Sequence, residues 1–101
     1  MEEGLDTSLV ERAQRGDEGA FTSLAVAVGD RLHAVAYRIL RDTDLAEDAT
    51  QQALLTVWRD LPQLRDPARF EAWSYRLLVR ACYAESRRKR RFGPQPPPAP
   101  D

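Results

Sequence analysis

Residues 66–91, DPARFEAWSYRLLVRACYAESRRKRR, read as one helix with two different long faces. Asp66 suits an N-cap, and Pro67 fits the first helical position, where its missing N–H leaves nothing unsatisfied. At about 100° per residue, Arg69, Arg76, Arg80, Tyr83 and Arg87 fall in a narrow stripe, with Arg91 beside it. Phe70, Leu77 and Ala81 cluster roughly a third of a turn away and are expected to face a core, with Trp73 between the two stripes. The basic stripe offers guanidinium groups and an aromatic ring to an anionic, stackable partner. Single-stranded nucleic acid has that chemistry.

Working back from this segment, the pattern stays helical. No stretch alternates with period two over a strand length. A first helix is expected over about Thr7–Arg15, with Leu9, Val10 and Ala13 apolar and Ser8 and Glu11 spaced as a capping box. Gly16 supplies its stop, and Asp17 caps the next helix. That second helix runs over about Glu18–Arg41, its apolar residues recurring at threes and fours from Phe21 through Leu24, Val28, Leu32, Val35 and Ala36 to Leu40. Gly29 lies inside it, and a bend there is one of two outcomes weighed, the other being an uninterrupted helix. A third helix opens at Thr43 or Asp44, with Glu47 completing a capping box, and runs to about Leu61, where Pro62 ends it. Ala46, Ala49, Ala53, Leu54, Val57 and Leu61 form its inner arc. Asp48, Gln52, Leu55 and Arg59 form a strip on the opposite side, with Gln51 on its edge. Leu55 is the apolar exception on that strip. It is either an isolated exposed leucine or the anchor for a partner helix with the polar residues as its rim.

The architecture that follows is all-α, a compact bundle of three to four helices over residues 7–91. Residues 1–6 are expected to be a flexible N-terminus, and residues 92–101 a linker, since five of the last eight residues are proline. The chain of 101 residues carries a formal net charge of −1 that conceals an asymmetry. Residues 1–50 hold 5 arginines against 11 acidic residues, whereas residues 51–101 hold 10 basic residues against 5 acidic ones. The basic character is concentrated at Arg87, Arg88, Lys89, Arg90 and Arg91. Cys82 and His33 are the sole residues of their types, so no intramolecular disulfide and no convergent metal set can be assembled. No catalytic motif stands out, and no cofactor, metal or enzyme activity is expected. No apolar run approaches a membrane span, and the acidic start is unlike a signal peptide, so a cytoplasmic location is the expectation.

Two longer runs, LAEDATQQALLTVWRDLPQL from residue 45 and FEAWSYRLLVRACYAESRRKRR from residue 70, resemble the second conserved domain of bacterial RNA polymerase sigma factors. The similarity is to the extracytoplasmic-function group. Its marks here are Ala46-Glu47-Asp48, then Gln51 and Trp58, then Phe70, Trp73, Tyr75 and Arg76 before an arginine-rich helix end. Upstream, Arg15-Gly16-Asp17 with Ala20-Phe21 resembles the opening of the same family.

The resemblance implies a division of labour. The third helix docks on the clamp helices of the polymerase beta-prime subunit through Asp48, Gln51, Gln52, Leu55 and Arg59. The connector and last helix recognise the promoter −10 element and capture non-template-strand bases as the duplex opens. Flipped bases need pockets and aromatic platforms, and phosphates need arginine. The residues implied for DNA are Arg65, Arg69, Tyr75, Arg76, Arg80, Tyr83, Arg87, Arg88 and Lys89. The resemblance also implies an anti-sigma factor as a partner, and a C-terminal domain for the −35 element that the quoted chain does not contain. Two positions depart from the common pattern. Arg80 stands where many members have Asn, which favours phosphate over base contact, and Ala84 stands where many have Asp. Two other readings stay open on the residues: a helical regulator of duplex DNA, and a sigma-like protein-interaction module that does not bind DNA.

Overall fold

Four helices follow one another, and each boundary has a local chemical cause. The structure, a computed structural model, describes residues 6–91; the expectations for residues 1–5 and 92–101 lie outside the described residues. Helix α1 spans Thr7–Gln14, α2 Glu18–Leu40, α3 Thr43–Asp60 and α4 Phe70–Arg91. Two single 3₁₀ turns, Leu61–Gln63 and Pro67–Arg69, make the connector between α3 and α4. Among the described residues there is no strand.

Three caps are aspartates that accept from backbone N–H groups left free at a helix start. Asp6 caps α1, accepting from the Ser8 N–H at 2.9 Å and from the Ser8 hydroxyl at 2.9 Å. The expected Ser8–Glu11 box is therefore corrected: Ser8 is inside the helix and donates to the true cap. Asp17 caps α2 through the Ala20 N–H at 3.0 Å, as its position after Gly16 implied. Gly16 has φ +97, the left-handed conformation that lets the chain reverse between α1 and α2. Helix α3 opens at Thr43 as expected, but its cap is Asp42, which accepts from the Leu45 N–H at 2.9 Å, in place of the expected box closed by Glu47.

Helix α2 runs unbroken through Gly29. Packing along one face supports its continuity: Ala20, Leu24, Val28, Leu32 and Ala36 are all buried. It ends at Arg41, whose φ of 55 puts a residue with a Cβ in the left-handed region; its N–H still reaches the Tyr37 carbonyl at 2.7 Å.

The core joins these residues to Val10 and Ala13 of α1, Ala46, Ala49, Ala53, Val57 and Leu61 around α3, and Phe70, Leu78 and Cys82 of α4. Three alanines on the inner side of α3 let its backbone approach α2 and α4 closely. The inward face of α4 differs from expectation. Phe70 is buried as expected, but the stripe continues through Ser74, Leu78, Cys82 and Glu85, with Leu77 and Ala81 half-buried at its margin. Two polar residues on the inner side disguised it. Both are satisfied there: the Ser74 hydroxyl donates to the Glu71 carbonyl at 3.1 Å, and Glu85 accepts from Arg88 at 2.7 Å. Trp73 is half-buried against Phe70, with ring centroids 6.1 Å apart. No described helix is long and apolar enough to cross a membrane.

Candidate functional site

The outer side of α4 keeps the basic stripe together. Arg76, Arg80 and Arg87 are exposed on α4, Arg69 is exposed in the 3₁₀ turn just before it, and Tyr83 is 57% exposed between Arg80 and Arg87. Among the described residues, none of these four arginines is in an ion pair, so their charges are open to an outside partner. Arg65, exposed on the connector, is likewise outside any ion pair among the described residues. Asp66 shapes the second connector turn by accepting from the Ala68 N–H at 3.0 Å, with Pro67 at its start. This turn places Arg69 immediately before α4, with Arg65 exposed on the connector ahead of it.

Three residues of the expected DNA set are placed differently. Tyr75 is exposed but lies on the opposite flank of α4. There it lines a groove of ≈ 380 Å³ against α2 with Val28, Val35, Arg31 and Arg38. Arg88 is exposed but paired: its Nη2 lies 2.7 Å from Glu85 and 3.9 Å from Asp48. Lys89 is 4.0 Å from Asp42. These two cations tie the end of α4 to the start of α3. The Glu85 hydrogen bond, more than the distant Asp48, holds the Arg88 guanidinium in its charged form.

The strip expected on α3 is also divided. Asp48, Gln51, Gln52, Leu55 and Arg59 are all exposed. Gln52 and Arg59 line a groove of ≈ 560 Å³ between α3 and α4, whose far wall carries Arg80, Ala84 and Arg88 and whose floor includes Leu77 and Ala81. Arg59 is held by Asp60 in a two-point contact, Nε to Oδ1 at 2.8 Å and Nη2 to Oδ2 at 3.0 Å. That contact keeps the Asp60 carboxyl below the usual carboxylate range. Gln51 and Leu55 instead border an apolar hollow of ≈ 330 Å³ formed with Phe21, Leu54 and Trp58.

Leu55, 62% exposed, is thus not an isolated apolar residue. Trp58 is 44% exposed beside it and meets Phe21 edge-on, ring centroids 4.7 Å apart. The reading along single helices missed this patch because Phe21 comes from α2 and the rest from α3. The signal was nevertheless present: Leu54, Leu55 and Trp58 are too many large apolar residues for one inner face of an alanine-lined helix.

No group of three or more His, Cys, Asp or Glu side chains among the described residues has the geometry to hold a metal. Cys82 is buried, and desolvation, with Glu85 nearby, pushes its thiol pKa up, away from reactivity.

The fold is thus a helical module that carries an arginine flank on one helix and a separate apolar patch on another. Residues 24–92 match the family profile described as Sigma-70 region 2. The chain belongs to that family. It is 34% identical over 74 residues to the RNA polymerase sigma-H factor of Pseudomonas aeruginosa, covering 73% of this chain and 38% of that protein. It is 33% identical over 78 residues to the ECF RNA polymerase sigma-E factor of Escherichia coli strain K12, covering 77% of this chain and 40% of the relative. The chain therefore spans about two fifths of the length of these curated relatives. Among solved structures, an engineered region 2 of sigmaE, determined by NMR in complex with GTAAAA, superposes with a TM-score of 0.72 at 32% identity. The match covers 89% of this chain and 99% of that one.

Proposed function

We propose that this chain is the part of a transcription initiation factor that binds core RNA polymerase and recognises the promoter −10 element, capturing non-template-strand bases as the duplex melts. The observation that carries the proposal is the α4 flank. Arg76, Arg80 and Arg87 stand exposed around Tyr83, outside any ion pair among the described residues, on a rigid helix that begins at the connector. Phosphates spaced along one strand can meet the guanidinium groups while a base stacks on the tyrosine ring. A base leaving the duplex sacrifices a few kcal/mol of stacking and pairing, so contacts available only to the opened strand draw the equilibrium toward melting. The solved relative in complex with GTAAAA supports a strand on this domain type.

Within this proposal Arg65 and Arg69 border the base-holding connector, and Arg76, Arg80, Tyr83 and Arg87 line the strand path. Arg88 and Lys89 contribute to the field of the flank but are engaged by acidic residues of the same chain. Arg80 and Ala84 together make the groove between α3 and α4 more basic than an Asn and Asp would, which favours phosphate contact there. The polymerase surface centres on Leu55, with Trp58, Leu54 and Phe21 supplying apolar area and Gln51 at its edge; the exposed Asp48, Gln52 and Arg59, on the side of α3 toward the α4 groove, complete the polar rim. Its partner is the clamp of the beta-prime subunit. An anti-sigma factor that masks either surface completes the set of partners, and the cytoplasm is where they meet.

The test is fluorescence anisotropy of the domain with labelled single strands recovered from a randomised pool, their duplexes and scrambled strands, at low and moderate salt. Selective binding of the single strand that is lost on changing Arg76 and Arg80 to Ala is the expected result. Equal or tighter duplex binding would favour a regulator of double-stranded DNA. No binding even at low salt would leave a protein-interaction module.

A further inference from the structure

We propose that Gln14 is a positioning residue for the connector, so that α1 sets how selectively the domain reads its strand; this deepens the function proposed above and rests on it. Gln14 is the last residue of α1 and is half-buried. Its side-chain Nε2 donates to two backbone carbonyls, that of Leu64 at 2.7 Å and that of Leu61 at 3.1 Å. Both acceptors are carbonyl oxygens, so only the NH₂ end of the amide can face them, and the orientation of the side chain is set by chemistry.

The two acceptors bracket the first connector turn, which its own Leu64 N–H to Leu61 carbonyl bond closes at 3.0 Å. The next residue is Arg65. Beyond it the described hydrogen bonds are local: Asp66 accepts from Ala68 through its side chain and from Arg69 through its carbonyl. Those bonds shape the second turn but do not fix where it sits. The position of Leu64, and hence the direction in which Arg65 leaves the bundle, is set by the packing of Leu61 and Leu64 on the core together with the hydrogen bonds from Gln14. Packing seats the two side chains, and Gln14, from across roughly half the chain, fixes where their carbonyls point. Helix α1 is itself firmly seated, with Val10 and Ala13 buried and Asp6 capping its start. It lies outside residues 24–92, the span that matches the family profile.

The clamp controls geometry rather than charge. Arg76, Arg80 and Arg87 sit on α4 and do not depend on it. Losing the clamp should therefore spare sequence-independent attraction and weaken only what needs the connector in place. Two hydrogen bonds to backbone carbonyls bear on the connector, so about a tenfold loss of selectivity is expected.

The experiment uses Gln14→Met, which keeps the volume and removes the donors, with the single strand selected from a randomised pool and its scrambled version. The variant should lower the ratio of the two affinities about tenfold, leave scrambled-strand binding and its salt dependence unchanged, and speed amide exchange at Leu64, Arg65, Asp66 and Ala68. In the unaltered protein, the Gln14 side-chain amide resonance should shift on adding the selected strand and not the scrambled one. That observation stands even if the variant folds poorly. A wild-type ratio retained in Gln14→Met, or a Gln14 resonance indifferent to the strand, overturns the inference while leaving the proposed function standing. A wild-type domain with no preference for any strand overturns the function and this inference with it.

Discussion

Arg80 and Arg88 lie about two turns apart on α4 and line the same groove, yet the structure gives them opposite work. Arg80 is exposed and in no ion pair among the described residues. Arg88 holds Glu85, whose side chain is only 10% exposed, at 2.7 Å. Replacing Arg80 by Ala should leave folding alone and leave one phosphate without its cation. For a single strand each neutralised phosphate contributes about 0.7 to the slope of log affinity against log salt. Arg65, Arg69, Arg76, Arg80 and Arg87 together would then give a slope near −3.5, about a hundredfold loss of affinity between about 50 and about 200 mM salt. Arg80→Ala should lower the magnitude of that slope by about 0.7, so the variant loses roughly two- to threefold less affinity over the same range. Arg88→Ala should behave differently. It leaves the Glu85 carboxylate on the inner face of α4 without its cation, and a nearly buried carboxylate without a partner is costly. The thermal midpoint should fall by a few degrees, and the salt slope should change by less than about 0.7. Anisotropy titrations at four salt concentrations and a thermal melt of each variant read both quantities. The assignment would be refuted by an unchanged slope in Arg80→Ala together with a slope reduced by about 0.7 in Arg88→Ala at unchanged thermal midpoint.

Three further outcomes are expected. Gly29→Ala should stabilise the domain by about 0.5–1 kcal/mol in urea unfolding, because Gly29 is inside α2 and an added Cβ meets nothing within 4 Å. Leu55→Glu should leave the thermal midpoint unchanged, since the residue is exposed, and abolish pull-down of a beta-prime clamp fragment; retained binding would move the polymerase surface elsewhere. The carboxyls of Asp6 and Asp17 lie below the ordinary value of 3.8, chiefly because each accepts from a backbone N–H. A depressed folded pKa means the stabilisation is complete above the unfolded value and is lost as pH falls through the folded one. The thermal midpoint should therefore be flat down to about pH 5 and fall below about pH 4. Asp17→Asn, which keeps a capping oxygen, should make that fall shallower.

The helices, their order and most of their stops were legible in the chain, because those features are local. Periodicity at threes and fours, Gly16 with Asp17 and Pro62 at the end of α3 act within a few residues of themselves, whereas Asp66-Pro67, read as the start of the last helix, opens a 3₁₀ turn and α4 begins at Phe70. The basic stripe on α4 was legible for the same reason, since helical spacing alone puts Arg76, Arg80 and Arg87 together. Which of several adjacent capping residues does the capping was not legible. Asp6 and Ser8, or Asp42, Thr43 and Asp44, are chemically equivalent until packing chooses the first turn.

Only the tertiary structure decided the rest: which face of α4 turns inward, and which residues meet partners far away in sequence. The inner face of α4 runs through Ser74 and Glu85, polar residues that are acceptable there because a carbonyl and Arg88 satisfy them. Arg88 and Lys89 look like the rest of the basic cluster but are met by Asp48 and Asp42 from another helix. Leu55 looked alone until α2 brought Phe21 beside Trp58. Gln14 carried no motif at all. Its role depends on two carbonyls whose position is set by how α1 packs on the bundle, and no pattern within α1 encodes that.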